Sequence, residues 1–301
     1  MKAWVLWILS SALFLALYDI AKKASVRDNA VLPVLLCSTT FGALAYVLGI
    51  TAAGRLGATL SAVGGSVLLL GVLKSAIVAS SWVFTFCALR TLPITVATPI
   101  RASSPALVFA VACLLYGEIP SLLQGVGMAL VFSGYLAFSW AGRREGIDFL
   151  HSRAVGFAVA GAVLSAVSAL WDKYVFQVAK SPVEPTQLVF QVGLIAVYGI
   201  GLGAAALRGR RAQGREEGAV RFSWRWTIPF VGVLLAFSDW LMFNGLAVPG
   251  APVSVASLMR RLSVAITFVL GAFFFRETNL VRKSAALTLV LAGIALLCLK
   301  S

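Results

Sequence analysis

Long apolar runs divided by short polar breaks dominate the chain. Ten stretches, at approximately 3–24, 30–50, 66–90, 94–116, 120–140, 154–178, 185–207, 227–247, 253–275 and 279–299, are mostly apolar. At 1.5 Å of rise per residue, about 20 such residues cross the roughly 30 Å hydrocarbon core of a bilayer as a helix. The pattern predicts an all-α, polytopic membrane protein of ten transmembrane helices. Composition agrees: 60% of the 301 residues are hydrophobic and 12% charged, against about 45–50% and 25% in soluble domains. The first run follows Lys2 and contains Ser10-Ser11-Ala12, so it shares features with a signal peptide. Its counterpart in the second half of the chain argues instead that it is a retained span.

That counterpart is part of a duplication. The segment from Pro93 to Glu118 is written again from Pro252 to Glu277 at a constant offset of 159. Pro93 falls on Pro252, Val96-Ala97 on Val255-Ala256, Thr98 on Ser257, Arg101 on Arg260 and Glu118 on Glu277. Ala16-Leu17-Tyr18-Asp19 answers Ala169-Leu170-Trp171-Asp172, Ser81 to Leu89 answers Ser238 to Leu246, and Gly134 answers Gly293. The halves are residues 1–140 and 154–301, joined by a polar linker at 141–153.

Five spans per half is an odd number, so the second copy enters the membrane from the opposite face. This is the inverted repeat of many secondary transporters, whose substrate sites lie near the midplane where the copies meet. Loop charges set the orientation: 4 Lys and Arg lie on the side of the termini and 16 on the other, with the remaining five of the 25 inside spans. Positive charge marks the cytoplasmic side, which predicts extracytoplasmic termini and a cytoplasmic, Arg-rich loop at 208–225. A net charge of +14 concentrated in short loops speaks for membrane orientation and against nucleic-acid binding.

The duplicated proline-entered spans ending in Gly117-Glu118 and Arg276-Glu277, each followed by a span with a small residue at Gly134 or Gly293, resemble the drug/metabolite transporter superfamily, EamA type with ten spans. The resemblance covers essentially the whole chain. It implies two inverted five-span halves around a central cavity and transport of a small metabolite. Two features depart from that pattern: Tyr18-Asp19 and Trp171-Asp172 stand where Trp-Gly is often found, and relatives usually have cytoplasmic termini.

Charges inside spans are costly, by about 2.5–3.5 kcal/mol at a helix centre on insertion scales, so they face a wet cavity or one another. Asp19 and Arg101 fall at one depth, and by the repeat Asp172 and Arg260 fall at a matching depth on the opposite side. These pairs either hold helices together or meet substrate and protons at the two ends of a cavity. Arg261 points about 100° away from Arg260 on a helix. Asp239, beside Ser238 and Trp240 and near Asn244, is a place for a titrating proton-coupling group, and Trp82 for an aromatic wall. Lys74 and Lys173 read as snorkelling or pairing residues. The glycines at 156, 161, 199, 201 and 203 read as close-packing or hinge positions.

Little points to catalysis. His151, the single histidine, sits in the linker; HExxH, GxSxG and clustered Cys/His patterns are missing, and Cys37, Cys87, Cys113 and Cys298 are scattered in apolar runs. The sequence therefore predicts no enzyme, metal or cofactor. The expected partners are the bilayer and a small anionic or zwitterionic metabolite such as an amino acid or organic anion, with a monomeric protein in the cell membrane. A lipid-headgroup flippase or a sugar or drug exporter are the alternatives.

Overall fold

A computed structural model of the chain describes residues 3–26, 29–91, 104–117, 120–140, 153–211, 222–263, 266, 288–289, 291–293 and 295–296. All regular structure among them is helical. In chain order the helices are α1 (Ala3–Val26), α2 (Val31–Ala52), the short α3 (Leu56–Ser61), α4 (Gly65–Thr91), α5 (Ser104–Tyr116), α6 (Leu122–Trp140) and α7 (Arg153–Lys173). A π-helical turn over Tyr174–Val178 continues α7, and α8 (Val183–Arg211), α9 (Thr227–Ala247) and α10 (Val253–Arg260) follow.

Among the described residues, six helical stretches are long and apolar enough to span a bilayer: Ala3–Lys22, Val31–Ala52, Gly65–Thr85, Val155–Val178, Val183–Leu207 and Thr227–Ala247. They coincide with the first, second, third, sixth, seventh and eighth apolar runs of the sequence. The runs at 94–116 and 120–140 are represented by shorter apolar helices, Leu107–Tyr116 and Leu122–Gly134. The stretches 267–287, with Glu277, and 92–103, with Arg101, lie outside the described residues, as does Glu118. Large apolar side chains such as Leu48, Leu69, Ile200 and Phe230 are exposed along the spans. A soluble monomer rarely shows apolar surface on that scale; on a multi-pass membrane protein it is the face turned to lipid.

Local sequence explains where several helices start. Pro33, Pro185 and Pro229 each occupy the third position of α2, α8 and α9, where a backbone N–H would have no intrahelical acceptor in any case. Pro252, extended at φ −75° and ψ 123°, precedes α10 and matches the proline-entered motif. A reciprocal cap begins α6: the Ser121 N–H donates to Gln124 Oε1 at 3.0 Å and the Gln124 N–H donates to Ser121 Oγ at 3.3 Å. Gly117 ends α5 with φ +61°, a conformation that favours glycine.

The chain forms two compact units, one of Met1–Leu13, Ser80–Lys180 and Leu241–Ser301, the other of Phe14–Ala79 and Ser181–Trp240. Each draws on both halves of the sequence.

Small residues carry the helix packing in both, as expected where lipid gives no hydrophobic drive for association. In the second unit, a Cβ on Gly42 of α2 would lie 2.6 Å from the Gly232 carbonyl oxygen of α9, and one on Gly232 would run into the Ser38 carbonyl. On α4, a Cβ at Gly71 would lie 2.6 Å from Val189 Cγ1 of α8, while one at Gly193 of α8 would collide with the Ser75 hydroxyl. That hydroxyl donates to the carbonyls of Gly71 at 2.8 Å and Phe190 at 2.9 Å. The first unit repeats the device. Ser81 of α4 donates to the Gly161 carbonyl of α7 at 2.9 Å, and a Cβ at Gly293 would lie 2.5 Å from the Gly127 carbonyl oxygen of α6. Of the glycines expected to allow close approach, Gly161 does so. Gly156, Gly199, Gly201 and Gly203 meet nothing within 4 Å among the described residues. On α8 the close approach falls at Gly193 instead.

Candidate functional site

In the first unit the end of α7 is the focus. Asp172 and Lys173 are its last residues and both are buried, at 6% and 9% exposure, within a membrane-spanning stretch. Lys173 Nζ stands 4.8 Å from the centroid of the Tyr116 ring at the end of α5, a cation–π arrangement. The Tyr116 hydroxyl donates to the Leu170 carbonyl at 3.0 Å, so the final turns of α5 and α7 are tied together by a ring and a hydrogen bond. Trp171 and Tyr174 add a second aromatic contact at 5.3 Å between ring centroids.

The π turn begins directly after Lys173, and such wide turns inside helices often mark functional positions. Gln177 within it donates to the carbonyls of Leu246 at 2.9 Å and Ala251 at 2.7 Å. This supplies donors at the end of α9, where the last carbonyls have no intrahelical partner. Phe176 packs its ring 4.9 Å from Phe243 of α9.

α10, whose last residue is Arg260, packs against α5, α6 and α7. The helices bearing Asp172 and Arg260 are therefore neighbours within one unit. Arg260 is half-buried, and Arg261 caps α10 through its N–H to the Leu258 carbonyl at 2.9 Å. Trp82 of α4 and Asn244 of α9 belong to the same unit and are half-buried.

Asp19 and Asp239 belong to the second unit and are half-buried. Their helices are neighbours there: Phe14 of α1 meets Phe237 of α9 edge-on with centroids 4.6 Å apart, and Phe237 stacks on Trp240 at 5.7 Å. Arg101 lies outside the described residues, and with it the expected Asp19–Arg101 pair. Lys74 departs from the snorkelling expectation. It is 2% exposed, with Nζ 4.8 Å from the centroid of the Phe190 ring of α8.

Sequence reading overlooked several polar residues that the tertiary structure uses. Glu184, in the first turn of α8, accepts an ion pair from Arg55 at 2.7 Å and a hydrogen bond from Thr59 at 3.4 Å, and its carbonyl accepts from the Tyr46 hydroxyl at 3.2 Å. Asn29, between α1 and α2, donates to the Ser25 and Ser223 carbonyls and accepts from the Ser223 N–H at 2.9 Å. Gln177, Gln187 and Gln191 were legible only as amides inside apolar runs.

Residues 2–140 match the EamA-like transporter family. The fold of the whole chain is similar to a protein crystal structure at a TM-score of 0.70 and 19% identity, over 99% of this chain and 96% of that one. At that identity the likeness is one of fold. No curated protein matches the chain. Apolar spans, a duplicated motif and charged side chains within those spans accompany this match, and through residues 2–140 the chain is similar to the EamA-like transporter family.

Proposed function

We propose that this protein is a secondary transporter that carries a small polar metabolite with an anionic or zwitterionic group, such as an amino acid or organic anion, across the cytoplasmic membrane by alternating access. The observation that carries this reading is the buried Asp172-Lys173 step of α7 beside the helix that bears Arg260. Charges are kept inside a membrane where they act on a solute or an ion, and the arginine supplies the cationic contact that a carboxylate needs.

Ten spans in two inverted halves, residues 1–140 and 154–301, complete the proposal. One packing pattern supports it: Ser75 of α4 meets Gly193 of α8 as Gly232 of α9 meets Gly42 of α2. In each case the third span of one half touches the second span of the other, as an inverted repeat requires. Asp239 is the proposed proton-coupling carboxylate, with Asp19, Arg101, Trp82 and Asn244 as further substrate or gating residues, and the protein works as a monomer.

The test is counterflow into proteoliposomes preloaded with unlabelled amino acids or organic anions. Saturable accumulation of the matching labelled solute is expected. Transport of hydrophobic cations alone, indifferent to replacement of Arg101 and Arg260, would overturn the substrate class. Transfer of labelled lipid without solute counterflow would favour the flippase alternative.

Orientation is a separate proposal. The excess of Lys and Arg places the loop 208–225 in the cytoplasm and the termini outside. A single cysteine in that loop, in a background lacking the native cysteines, is expected to resist a membrane-impermeant maleimide on intact cells and to react once the cells are opened. Labelling on intact cells reverses the orientation.

A further inference from the structure

Several polar atoms along α8 are paired within the second unit. The Thr186 hydroxyl donates to the Pro182 carbonyl at 2.7 Å and stands 2.7 Å from the Ser181 hydroxyl, and the Phe190 carbonyl accepts from Ser75. Gln187 and Gln191, at 0% and 6% exposure, differ from these. Gln187 Nε2 donates to the Ala236 carbonyl of α9 at 2.6 Å. The side-chain oxygens of both glutamines are enclosed and have no hydrogen-bond partner among the described residues. Four residues apart, they lie on the same face of the helix.

A buried acceptor without a donor is costly, and more so within a bilayer, where water does not compensate. Leucine or methionine would fill the same space without that cost. Two such acceptors on one face of a spanning helix are therefore suited to donors that arrive and leave.

The neighbourhood narrows the chemistry of those donors. Phe190 lies between the two glutamines in sequence, and the Lys74 ammonium sits over its ring at 4.8 Å. A second cation brought beside it in a low-dielectric setting would be repelled. A hydroxyl donates its proton to an amide oxygen without adding charge, and its oxygen can still accept from an ammonium.

We infer that Gln187 and Gln191 form a subsite for hydroxyl groups of the transported solute, which makes that solute a hydroxylated organic acid or amino acid. This rests on the transport reading above.

Propionate, L-lactate and D-glycerate share three carbons and one carboxylate and carry zero, one and two hydroxyls. β-Alanine replaces the hydroxyl of that framework with an ammonium. Affinities come from the ligand dependence of the melting temperature of the full-length protein in nanodiscs, and counterflow of the same solutes is measured in parallel. Affinity is expected to rise about fivefold per hydroxyl, equivalent to about 1 kcal/mol. Gln191→Met should lose one of these steps while raising the melting temperature of the ligand-free protein, because an unsatisfied acceptor has been removed. Gln187→Met serves as the second variant.

A flat series in the wild-type protein overturns the subsite, as does a preference for β-alanine. An intact series in both methionine variants does the same and leaves water as the occupant. In each of these cases, counterflow of any solute leaves the transporter reading standing; its complete absence removes both.

Discussion

Gly232→Ala is expected to leave almost no folded protein in the membrane. The added methyl would run into the Ser38 carbonyl and lie 2.8 Å from the Gly42 backbone nitrogen. Neither obstacle is a side chain that can rotate away, so α2 and α9 would have to separate along this contact. Overpacking a core by a methylene costs about 1–3 kcal/mol when side chains can adjust. A clash with a helix backbone belongs to the rarer class above about 4 kcal/mol, a large part of the roughly 5–15 kcal/mol that holds a domain folded. The monodisperse fraction after detergent extraction measures this, with Gly199→Ala as control, since Gly199 meets nothing within 4 Å among the described residues. Gly199→Ala should be neutral or slightly stabilising because alanine is the better helix former. Wild-type yield and melting temperature in Gly232→Ala would refute the close backbone contact between α2 and α9.

Asp172→Asn is expected to abolish transport while the protein still folds, and to hold it in one state of the cycle. Asp172 is buried beside Lys173, and α10 brings Arg260 onto a neighbouring helix. Removing the carboxylate takes a negative charge away from the neighbourhood of Lys173 and Arg260, and breaking a buried charge pair costs about 3–5 kcal/mol. That is about a hundred- to several-thousandfold in a two-state population. The state in which this end of the cavity is open and wet should gain. Asp19→Asn should bias the protein the opposite way if, as proposed, the halves form an inverted repeat with the two acids on opposite sides of the midplane. The readout is the labelling rate of a cysteine beside each acid from either side of the membrane, together with counterflow. If both variants change labelling from the same side, or transport persists with labelling unchanged, the acids are structural and do not act as gates.

The existence of the spans was legible in the sequence because a backbone in lipid must satisfy its own hydrogen bonds, which leaves helices of fixed minimum length as the solution for apolar runs. Helix starts at Pro33, Pro185, Pro229 and Pro252 were legible for the equally local reason that proline lacks an N–H. The buried charges of α7 could be read from their position in an apolar run. Their surroundings could not: the ring of Tyr116 over Lys173 and the reach of Gln177 to Leu246 join residues 57 and 69 positions apart. The pairing of Tyr46 with Glu184 spans 138.

By itself, then, the sequence determined the helical class, the positions of six spans, the duplicated motif and the polar side chains the membrane must accommodate. Only the tertiary structure decided which faces meet. The glycine series at 199, 201 and 203 has the composition of a packing surface but meets nothing within 4 Å among the described residues, whereas Gly193, six residues before Gly199, lies against Ser75. Lys74, with a stem long enough to snorkel, is enclosed against Phe190 instead. Apolar character specifies that a helix lies in the bilayer but not its rotation about its own axis, since lipid and a neighbouring helix are almost equally favourable surroundings for leucine; that rotation is fixed by close backbone approach and by hydrogen bonds between residues far apart in the chain.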